Sequence, residues 1–230
     1  MNGLIHPSLY FGMLVSVGAY MLGVWLKKKT GWAILNPLLV AIIVVIAFLS
    51  VFHIEYKEYN RGAVYLGYFL TPATVCLAIP LYKQLELLRQ HLIAVASAIV
   101  AGVAGSVGSI YVMCRFFQLE HTHYVTLLPK SITTAIGMGV SEEAGGIVTL
   151  TVISIIITGI LGNIIADWLF QIFKIEEPIA KGLALGTAAH AIGTAKALEL
   201  GEIEGAMSSL SIAVAGLLTV VVVPLMSGLI

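Results

Sequence analysis

Residues 186–202 have the sequence GTAAHAIGTAKALELGE, a run of small and polar residues in a chain otherwise rich in leucine, isoleucine and valine. The run contains an imidazole, His190, and an ammonium group, Lys196. Glycine and other small residues let a backbone leave helical geometry and approach a ligand closely. Glycine-broken segments between apolar helices are typical of the binding site of a membrane transporter. The run therefore predicts a broken helix at such a site.

The composition of the whole chain places this run in a membrane protein. Of the 230 residues, 59% are hydrophobic and only 10% are charged, against about a quarter charged in a typical soluble domain. A helix needs roughly 20 apolar residues to cross about 30 Å of hydrocarbon. Six uncharged stretches approach or exceed this length: 9–26, 30–52, 62–82, 92–114, 144–166 and 205–230. We therefore expect an all-α integral membrane protein with about six transmembrane helices.

The chain lacks the patterns of several other protein classes. Three lysines, Lys27–Lys29, follow the first apolar stretch and none precedes it, which is the order of a retained anchor and not of a cleaved signal peptide. Neither a phosphate-binding glycine loop nor a basic stripe is present, so nucleic acid is not an expected partner. No cysteine, serine or metal-ligand cluster accompanies His190 at a spacing typical of catalysis. We expect no enzymatic activity, no cofactor and no metal.

The pattern divides the chain into two parts. Residues 1–118 contain the first four stretches and form a scaffold, whereas residues 119–230 contain the polar interruptions. Within the scaffold, Pro72 removes a backbone donor inside the third stretch and leaves carbonyl groups that need another partner. Together with Thr74, these carbonyls either face a polar cavity and serve in gating or mark an ordinary kink.

The second part contains two related copies, about 129–172 and 185–230. At a constant offset of 56 residues several positions are identical, and Ser131 meets Thr187. The identical pairs are Ala135 and Ala191, Ile136 and Ile192, Gly137 and Gly193, Glu143 and Glu199, and Gly145 and Gly201. Each copy is a glycine-broken polar segment followed by one long apolar stretch, which predicts an internal repeat.

The broken segments, 131–141 and 182–195, are shorter than ordinary spans and have the length of re-entrant elements. A half-helix that begins near Gly137 or Gly193 would point free N–H groups and the positive end of its dipole at a small anion. If neither segment crosses, the chain has six crossings, the copies form an inverted repeat, and the lysines of residues 174–181 are cytoplasmic. Full crossings of both segments give eight. The distribution of basic residues favours six.

The predicted substrate-binding residues are donors and glycines of the two broken segments. They are Ser131, Thr133, Thr134, Gly137, Thr187, His190, Gly193, Thr194 and Lys196. The predicted gating residues or charge partners are Pro72, Thr74, Lys130, Glu142 and Glu199. Plainer alternatives exist: a buried structural histidine, lysines that reach to the membrane interface, glutamates in a first helical turn, and hydroxyl groups that cap helices.

Several motifs resemble the LrgB/CidB family of bacterial membrane proteins. They are LTPATVCLAIPLYKQ, KSITT, SEEAGGI and GLALGTAAHAIGTAKALELGEIEGAMSSL, with the most specific resemblance at HAIGTAKALE. Members of that family often have a proline after the paired threonines, where this chain has Ala135. The first break must therefore depend on glycine flexibility and not on a missing N–H group.

The resemblance implies a protein of the bacterial cytoplasmic (inner) membrane and two classes of function. One is transport of small monocarboxylates such as pyruvate, glycolate, glycerate or lactate by alternating access, with a proton or sodium ion as the undetermined coupling ion. The other is a holin-like or antiholin-like protein that modulates murein hydrolase activity and autolysis. The expected partners are the lipid bilayer, a small LrgA/CidA-like membrane protein and further copies of the chain. The duplicated broken segments favour transport.

Overall fold

The computed structural model describes residues 10–32 and 34–230. All regular secondary structure in these residues is α-helical, as the composition predicts. The chain forms two compact units, Met1–Cys76 and Leu77–Ile230. The predicted division into a scaffold, residues 1–118, and a part with the polar interruptions, residues 119–230, stays a prediction.

The described part of the first unit contains four helices. They are α1 (Phe11–Thr30), α2 (Pro37–Val51), α3 (Tyr56–Gly67) and α4 (Leu70–Cys76). The start of α2 is well marked, because the side chain of Asn36 accepts a hydrogen bond from the backbone N–H of Leu38 and Pro37 supplies the first helical residue. Helix α1 packs against α2 and α3, and the hydroxyl groups of Ser16 and Tyr59 lie 2.7 Å apart between α1 and α3.

The second unit contains eight helices. They are α5 (Ala78–Lys83), α6 (Leu85–Gln90), α7 (Leu92–Phe116), α8 (His121–Leu127), α9 (Thr134–Glu143), α10 (Val148–Ile172), α11 (Pro178–Leu200) and α12 (Glu202–Ser227). The buried residues of α7 recur every three or four positions and so form one face of the helix: Val95, Ile99, Val103, Val107, Ile110 and Cys114. Helix α7 packs against α11 and α12, which gives this unit its core.

Four helices in the described residues are long and apolar enough to cross a membrane. They are the interrupted helix Tyr56–Lys83 together with Leu92–Phe116, Val148–Ile172 and Glu202–Ser227. These match the last four of the six predicted stretches, so the expected number of spans is confirmed only in part. The first two stretches fall short for physical reasons. Helix α1 carries three lysines in its last turn, and α2 has only 15 residues, fewer than the roughly 20 that a span needs.

Large apolar side chains cover the outer faces of the long helices. Examples on α10 and α12 are Ile157, Leu161, Trp168, Leu217, Val221 and Leu225, all of them exposed. Contiguous exposed apolar surface of this kind would promote aggregation in water and suits a bilayer. The distribution of side chains therefore agrees with the composition in indicating a multi-pass membrane protein.

Candidate functional site

The first broken segment folds back on itself. We call hairpin 1 the pair α8 and α9 with the turn 128–133 between them. A Cβ atom built on Gly137 would lie 3.4 Å from the carbonyl oxygen of Pro129. Just beyond α9, the backbone N–H of Ile147 donates to Oγ1 of Thr126 at 2.8 Å. The chain therefore reverses at the turn and returns to Thr126 of α8 just beyond α9, with the turn as the tip.

The second broken segment, helix α11, is hairpin 2. Its backbone leaves helical geometry at His190, which has φ 42° and ψ −133°. A Cβ atom on Gly193 would overlap the carbonyl oxygen of Leu185, although residues eight apart in a straight helix are separated by about 12 Å. Both ends of the hairpin pack against the start of α12: Gly182 approaches Glu204, and Leu198 approaches the next residue, Gly205. Hairpin 2 thus also enters and returns at one end.

Helix α10 runs from hairpin 1 to hairpin 2. Near its start, Oγ1 of Thr151 lies 2.9 Å from the carbonyl oxygen of Thr126 and 2.6 Å from Oγ of Ser141. Near its end, the ammonium group of Lys196 donates to Oδ2 of Asp167 at 2.6 Å. The first contacts belong to hairpin 1 and the last to hairpin 2. The two hairpins therefore approach one another from opposite ends of α10.

Both hairpins contact Ile155, a residue within α10. A Cβ atom on Gly137 of hairpin 1 would lie 2.5 Å from Cδ1 of Ile155. On the other side, Nε2 of His190 lies 2.9 Å from the carbonyl oxygen of Ile155. Because a carbonyl oxygen can only accept, Nε2 of His190 carries the hydrogen. The broken segments are thus neighbours around one residue of α10.

Helix α12 passes the hairpins in the reverse order. It begins beside hairpin 2 at Gly205, and a Cβ atom on Gly216 would lie 3.0 Å from Cδ1 of Ile136 in hairpin 1. Toward its end, the hydroxyl of Tyr124 in hairpin 1 donates to the carbonyl oxygen of Met226 at 3.0 Å. Each hairpin is therefore held by its own following helix and by the long helix of the other copy.

Helix α7 brings the tips together at a cluster of polar side chains. A Cβ atom on Gly102 would lie 2.8 Å from Oγ1 of Thr187 in hairpin 2. One turn further on, Oγ of Ser106 donates to Oγ of Ser131 in hairpin 1 at 2.9 Å, and Nζ of Lys130 donates to the same oxygen at 3.0 Å. Ser131 and Thr187 are the residues that the repeat places at equivalent positions, and both are buried.

This cluster borders an open pocket of about 420 Å³, a size typical of small-molecule sites. Ser106, Lys130 and Thr187 line it together with Ala98, Gly102, Ala180, Leu183, Ala184 and Ala188. Lys130 is the one charged residue in this lining. Its ammonium group has three hydrogens, of which one is donated to Ser131, and no acceptor among the described residues takes the other two. The pocket therefore combines small apolar walls with one cation and two hydroxyl groups.

Two predicted site residues, His190 and Thr194, do not line the pocket and instead form contacts within the fold. His190 is 3% exposed and its bond to Ile155 fixes the break of hairpin 2 against α10. Thr194 donates its hydroxyl proton to the carbonyl oxygen of His190 and therefore accepts the 2.7 Å hydrogen bond from Ser208 of α12. These contacts support the plainer alternative for His190, a buried structural histidine.

Lys196 is paired with an acid that the sequence did not single out. Asp167 is the one acidic residue in the apolar stretch of α10, and an isolated carboxylate in a span is a signal that could have identified it. Its ion pair with Lys196 has side-chain exposures of 46% and 15%, respectively. Ser106 was also missed, since nothing distinguishes it from the other serines of α7.

The predicted helix breaks lie elsewhere than expected. The second halves of the hairpins begin at Thr134 and directly after His190, about three residues before Gly137 and Gly193. Both glycines are buried inside the returning helices. Gly193 allows close packing against Leu185 in the outgoing half of hairpin 2, and Gly137 allows close packing against Ile155 of α10 and the turn residue Pro129. Thr133 is the N-cap residue of α9, and its side chain forms no capping hydrogen bond.

The remaining predicted residues are not gathered at the pocket. Glu142 and Glu199 are exposed in the last turns of the two hairpins. Pro72 is an exposed residue of α4 in the first unit, and the side chain of Thr74 lies outside the described residues. Their proposed role in gating stays a prediction. Among the residues that the structure describes, no group of three or more histidine, cysteine, aspartate or glutamate side chains could hold a metal ion.

Comparison with known proteins identifies relatives over nearly the whole chain. The sequence profile of the LrgB-like family matches residues 16–229. The antiholin-like protein LrgB of Bacillus mycoides is 41% identical over 217 residues, and that of Bacillus subtilis is 39% identical over 218 residues. In both comparisons the alignment covers 94% of each chain. No solved structure matches this chain.

Proposed function

The chain belongs to the LrgB-like family, and we propose that it moves small monocarboxylate anions across the bacterial cytoplasmic membrane by alternating access. The observation that carries this proposal is the meeting of two hairpins from opposite ends of α10 beside Lys130. If α10 spans the bilayer, the hairpins enter from opposite faces, neither crosses, and the two copies form an inverted repeat. Such a repeat places one site between two equivalent entrances.

The pocket suits an anion with a single charge. Lys130 offers its N–H donors to a carboxylate. The hydroxyl groups of Ser106 and Thr187 also line the pocket, but they already donate to Ser131 and to the carbonyl oxygen of Leu183, so Lys130 is the donor for the anion in the described lining. A charge-assisted bond of this kind is worth about 1.5–3 kcal/mol when desolvated. A second carboxylate would find no second cation in the described lining. The alanine and glycine residues opposite leave room for a short carbon chain, as in pyruvate, glycolate, glycerate or lactate.

The second candidate function is that of an antiholin-like protein, and the names of the curated relatives favour it. A protein of this kind acts by association in the membrane. A small LrgA/CidA-like protein and further copies of this chain are its expected partners. Its action on murein hydrolase activity and autolysis requires no substrate pocket, so it makes no demand on Lys130.

Counterflow in proteoliposomes separates the two candidates. Purified protein, with and without the small partner, should accumulate a labelled monocarboxylate, and Lys130→Met should lower the initial rate about tenfold or more. Lys57→Met is the matched control, because Lys57 is an exposed lysine of the first unit, and it should leave uptake unchanged. Parental uptake by Lys130→Met would contradict the proposed site. Absence of uptake in every preparation, with altered autolysis in cells, would establish the second candidate.

Cysteine labelling tests the inverted arrangement separately. In a variant lacking Cys76 and Cys114, thiols introduced as His121→Cys and Glu177→Cys stand at the entrances of hairpins 1 and 2. Impermeant reagents should reach them from opposite sides of the membrane. Labelling of both from one side of intact cells would exclude hairpins that enter from opposite faces.

A further inference from the structure

A second and much smaller cavity adjoins the pocket. Its volume is about 10 Å³, which is close to the space that one water-sized occupant needs. Ser106 and Thr187 line both the pocket and this cavity, and Ser131 and Thr219 line the cavity alone. Thr219 lies on α12 and is 4% exposed. Four hydroxyl-bearing side chains from α7, α12 and both hairpins thus surround one small space.

Three of these four hydroxyl groups already donate their single proton in a hydrogen bond. Oγ1 of Thr187 donates to the carbonyl oxygen of Leu183 at 2.8 Å, and Oγ1 of Thr219 donates to that of Ala215 at 2.7 Å. Oγ of Ser106 donates to Ser131. A hydroxyl group has one proton and two lone pairs. The oxygens of Ser106, Thr187 and Thr219 therefore have only lone pairs to offer to a further partner.

The backbone of the hairpin 1 tip adds further acceptors. Leu128 and Ile132 line the cavity and are 1% and 3% exposed. Among the residues that the structure describes, no group donates a hydrogen bond to their carbonyl oxygens. Buried carbonyl groups in proteins almost always have a partner. The residues that line this cavity thus carry acceptors on three hydroxyl groups and on two carbonyl groups to which no described group donates.

We propose that this cavity binds a monovalent cation of the size of Na⁺ and that this cation is coupled to anion transport, an inference that rests on the proposed function. Hard cations take oxygen ligands, and carbonyl groups of unwound helix segments coordinate coupling ions in transporters with broken helices. Three lining hydroxyl groups that offer only lone pairs and a space of about 10 Å³ suit such an ion. No carboxylate is needed if the charge is balanced by the transported anion.

Lys130 couples the binding of the cation to the binding of the anion. Its ammonium group donates to Ser131, which lines the cavity, so its positive charge opposes a cation there. An anion bound to Lys130 in the adjoining pocket cancels this repulsion. The cation and the anion therefore favour each other's binding, and thermodynamic linkage makes the effect reciprocal. Transport of the two together follows.

Thermal unfolding of the purified protein tests cation binding without any need for transport. NaCl in place of choline chloride should raise the melting temperature by about 3 °C or more. Thr219→Val keeps the shape but removes the hydroxyl oxygen and should abolish this shift, whereas Thr219→Ser should retain it. Ser109→Ala is the control, because Ser109 is an exposed serine one turn from Ser106, and it should behave as the parent. The same melting temperature in both salts would mean that the cavity holds water and would overturn the proposal.

Uptake measurements test the coupling. Replacing choline by Na⁺ should lower the anion concentration for half-maximal uptake at least about fivefold, and Thr219→Val should raise the Na⁺ concentration required about tenfold. Anion uptake that is indifferent to Na⁺, or is driven by a pH gradient alone, would overturn the inference and leave the proposed function intact. A Na⁺-dependent melting temperature that Thr219→Val removes, with no anion uptake at all, would support the cation site and refute the transport function.

Discussion

Hairpins 1 and 2 occupy equivalent places in the predicted repeat but reverse the chain in different ways. Hairpin 1 takes the turn 128–133 to do so, and this turn carries Lys130 and Ser131 at its centre. Hairpin 2 reverses at one residue, His190, whose positive φ is rare for a side chain of this size. A conformation of this kind costs about 1–3 kcal/mol and persists only where its surroundings hold it.

The difference assigns different tasks to two segments that are similar in sequence. The wide tip of hairpin 1 leaves room for an ammonium group, a hydroxyl group and two carbonyl groups to which no described residue donates, and these are groups that a ligand can use. The tight tip of hairpin 2 is filled by an imidazole that is bound to α10. In the proposed transporter, hairpin 1 therefore supplies the ligand contacts and hairpin 2 supplies rigidity, with Thr187 as its contribution to the pocket.

The largest expected effect contrasts the two equivalent glycines. In Gly193→Ala the new methyl group overlaps the carbonyl oxygen of Leu185, a backbone atom that cannot yield without opening hairpin 2. In Gly137→Ala the nearest atom is Cδ1 of Ile155, the end of a flexible side chain. We expect destabilisation of about 3 kcal/mol or more for the first and about 1 kcal/mol for the second. Thermal unfolding in detergent measures both, and equal losses would remove the distinction between the hairpins.

An intermediate effect is expected at the tip of hairpin 2. His190→Ala loses the bond to Ile155 and keeps the unfavourable φ, so we expect a loss of about 2 kcal/mol. His190→Gly also loses the bond but adopts this φ freely, and it should be about 1 kcal/mol more stable than the alanine variant. Thr134 is the equivalent residue of hairpin 1 and lies in ordinary helix, so Thr134→Ala should be nearly neutral. An alanine variant as stable as the parent would show that His190 does not hold the break.

The smallest effect is expected at the ion pair of hairpin 2. Asp167 is 46% exposed, and a partly solvated pair of this kind contributes only about 0–1 kcal/mol. Lys196→Met should lower stability by less than about 1 kcal/mol and leave counterflow within about twofold of the parent, against about tenfold for Lys130→Met. Combination with Asp167→Asn in a double-mutant cycle measures the coupling of the pair. A tenfold loss of transport in Lys196→Met would indicate that the anion binds closer to hairpin 2 than proposed.

The all-α fold class could be predicted from the sequence because it is written in local patterns, whereas the inverted repeat stays a prediction. Apolar length predicts the long helices, and the offset of 56 residues places Ser131 opposite Thr187, which the structure brings to one cluster. The position of each break could not be predicted in the same way. A glycine serves equally for an unusual φ and for close packing, and Gly137 and Gly193 serve the second purpose.

The remaining features could not be predicted because they depend on contacts between segments that are distant in the sequence. The partner of Lys196 lies 29 residues away in the preceding helix, and Ser106 is 25 residues from Ser131. Neither distance corresponds to a local spacing rule. The left-handed conformation of His190 is equally hidden, because it depends on a bond to α10 that forms only in the folded protein.

The exchange of contacts between the copies has a consequence for biosynthesis. Tyr124 of hairpin 1 is bound to Met226, which lies 102 residues further along the chain. A ribosome that adds roughly 5–20 residues per second needs on the order of ten seconds to cover that distance. During this interval hairpin 1, with the cation of Lys130 near its tip, must wait in the membrane without α12. Newly made chains therefore pass through a stage in which hairpin 1 lacks its contact with α12 and its polar groups depend on the contacts already formed.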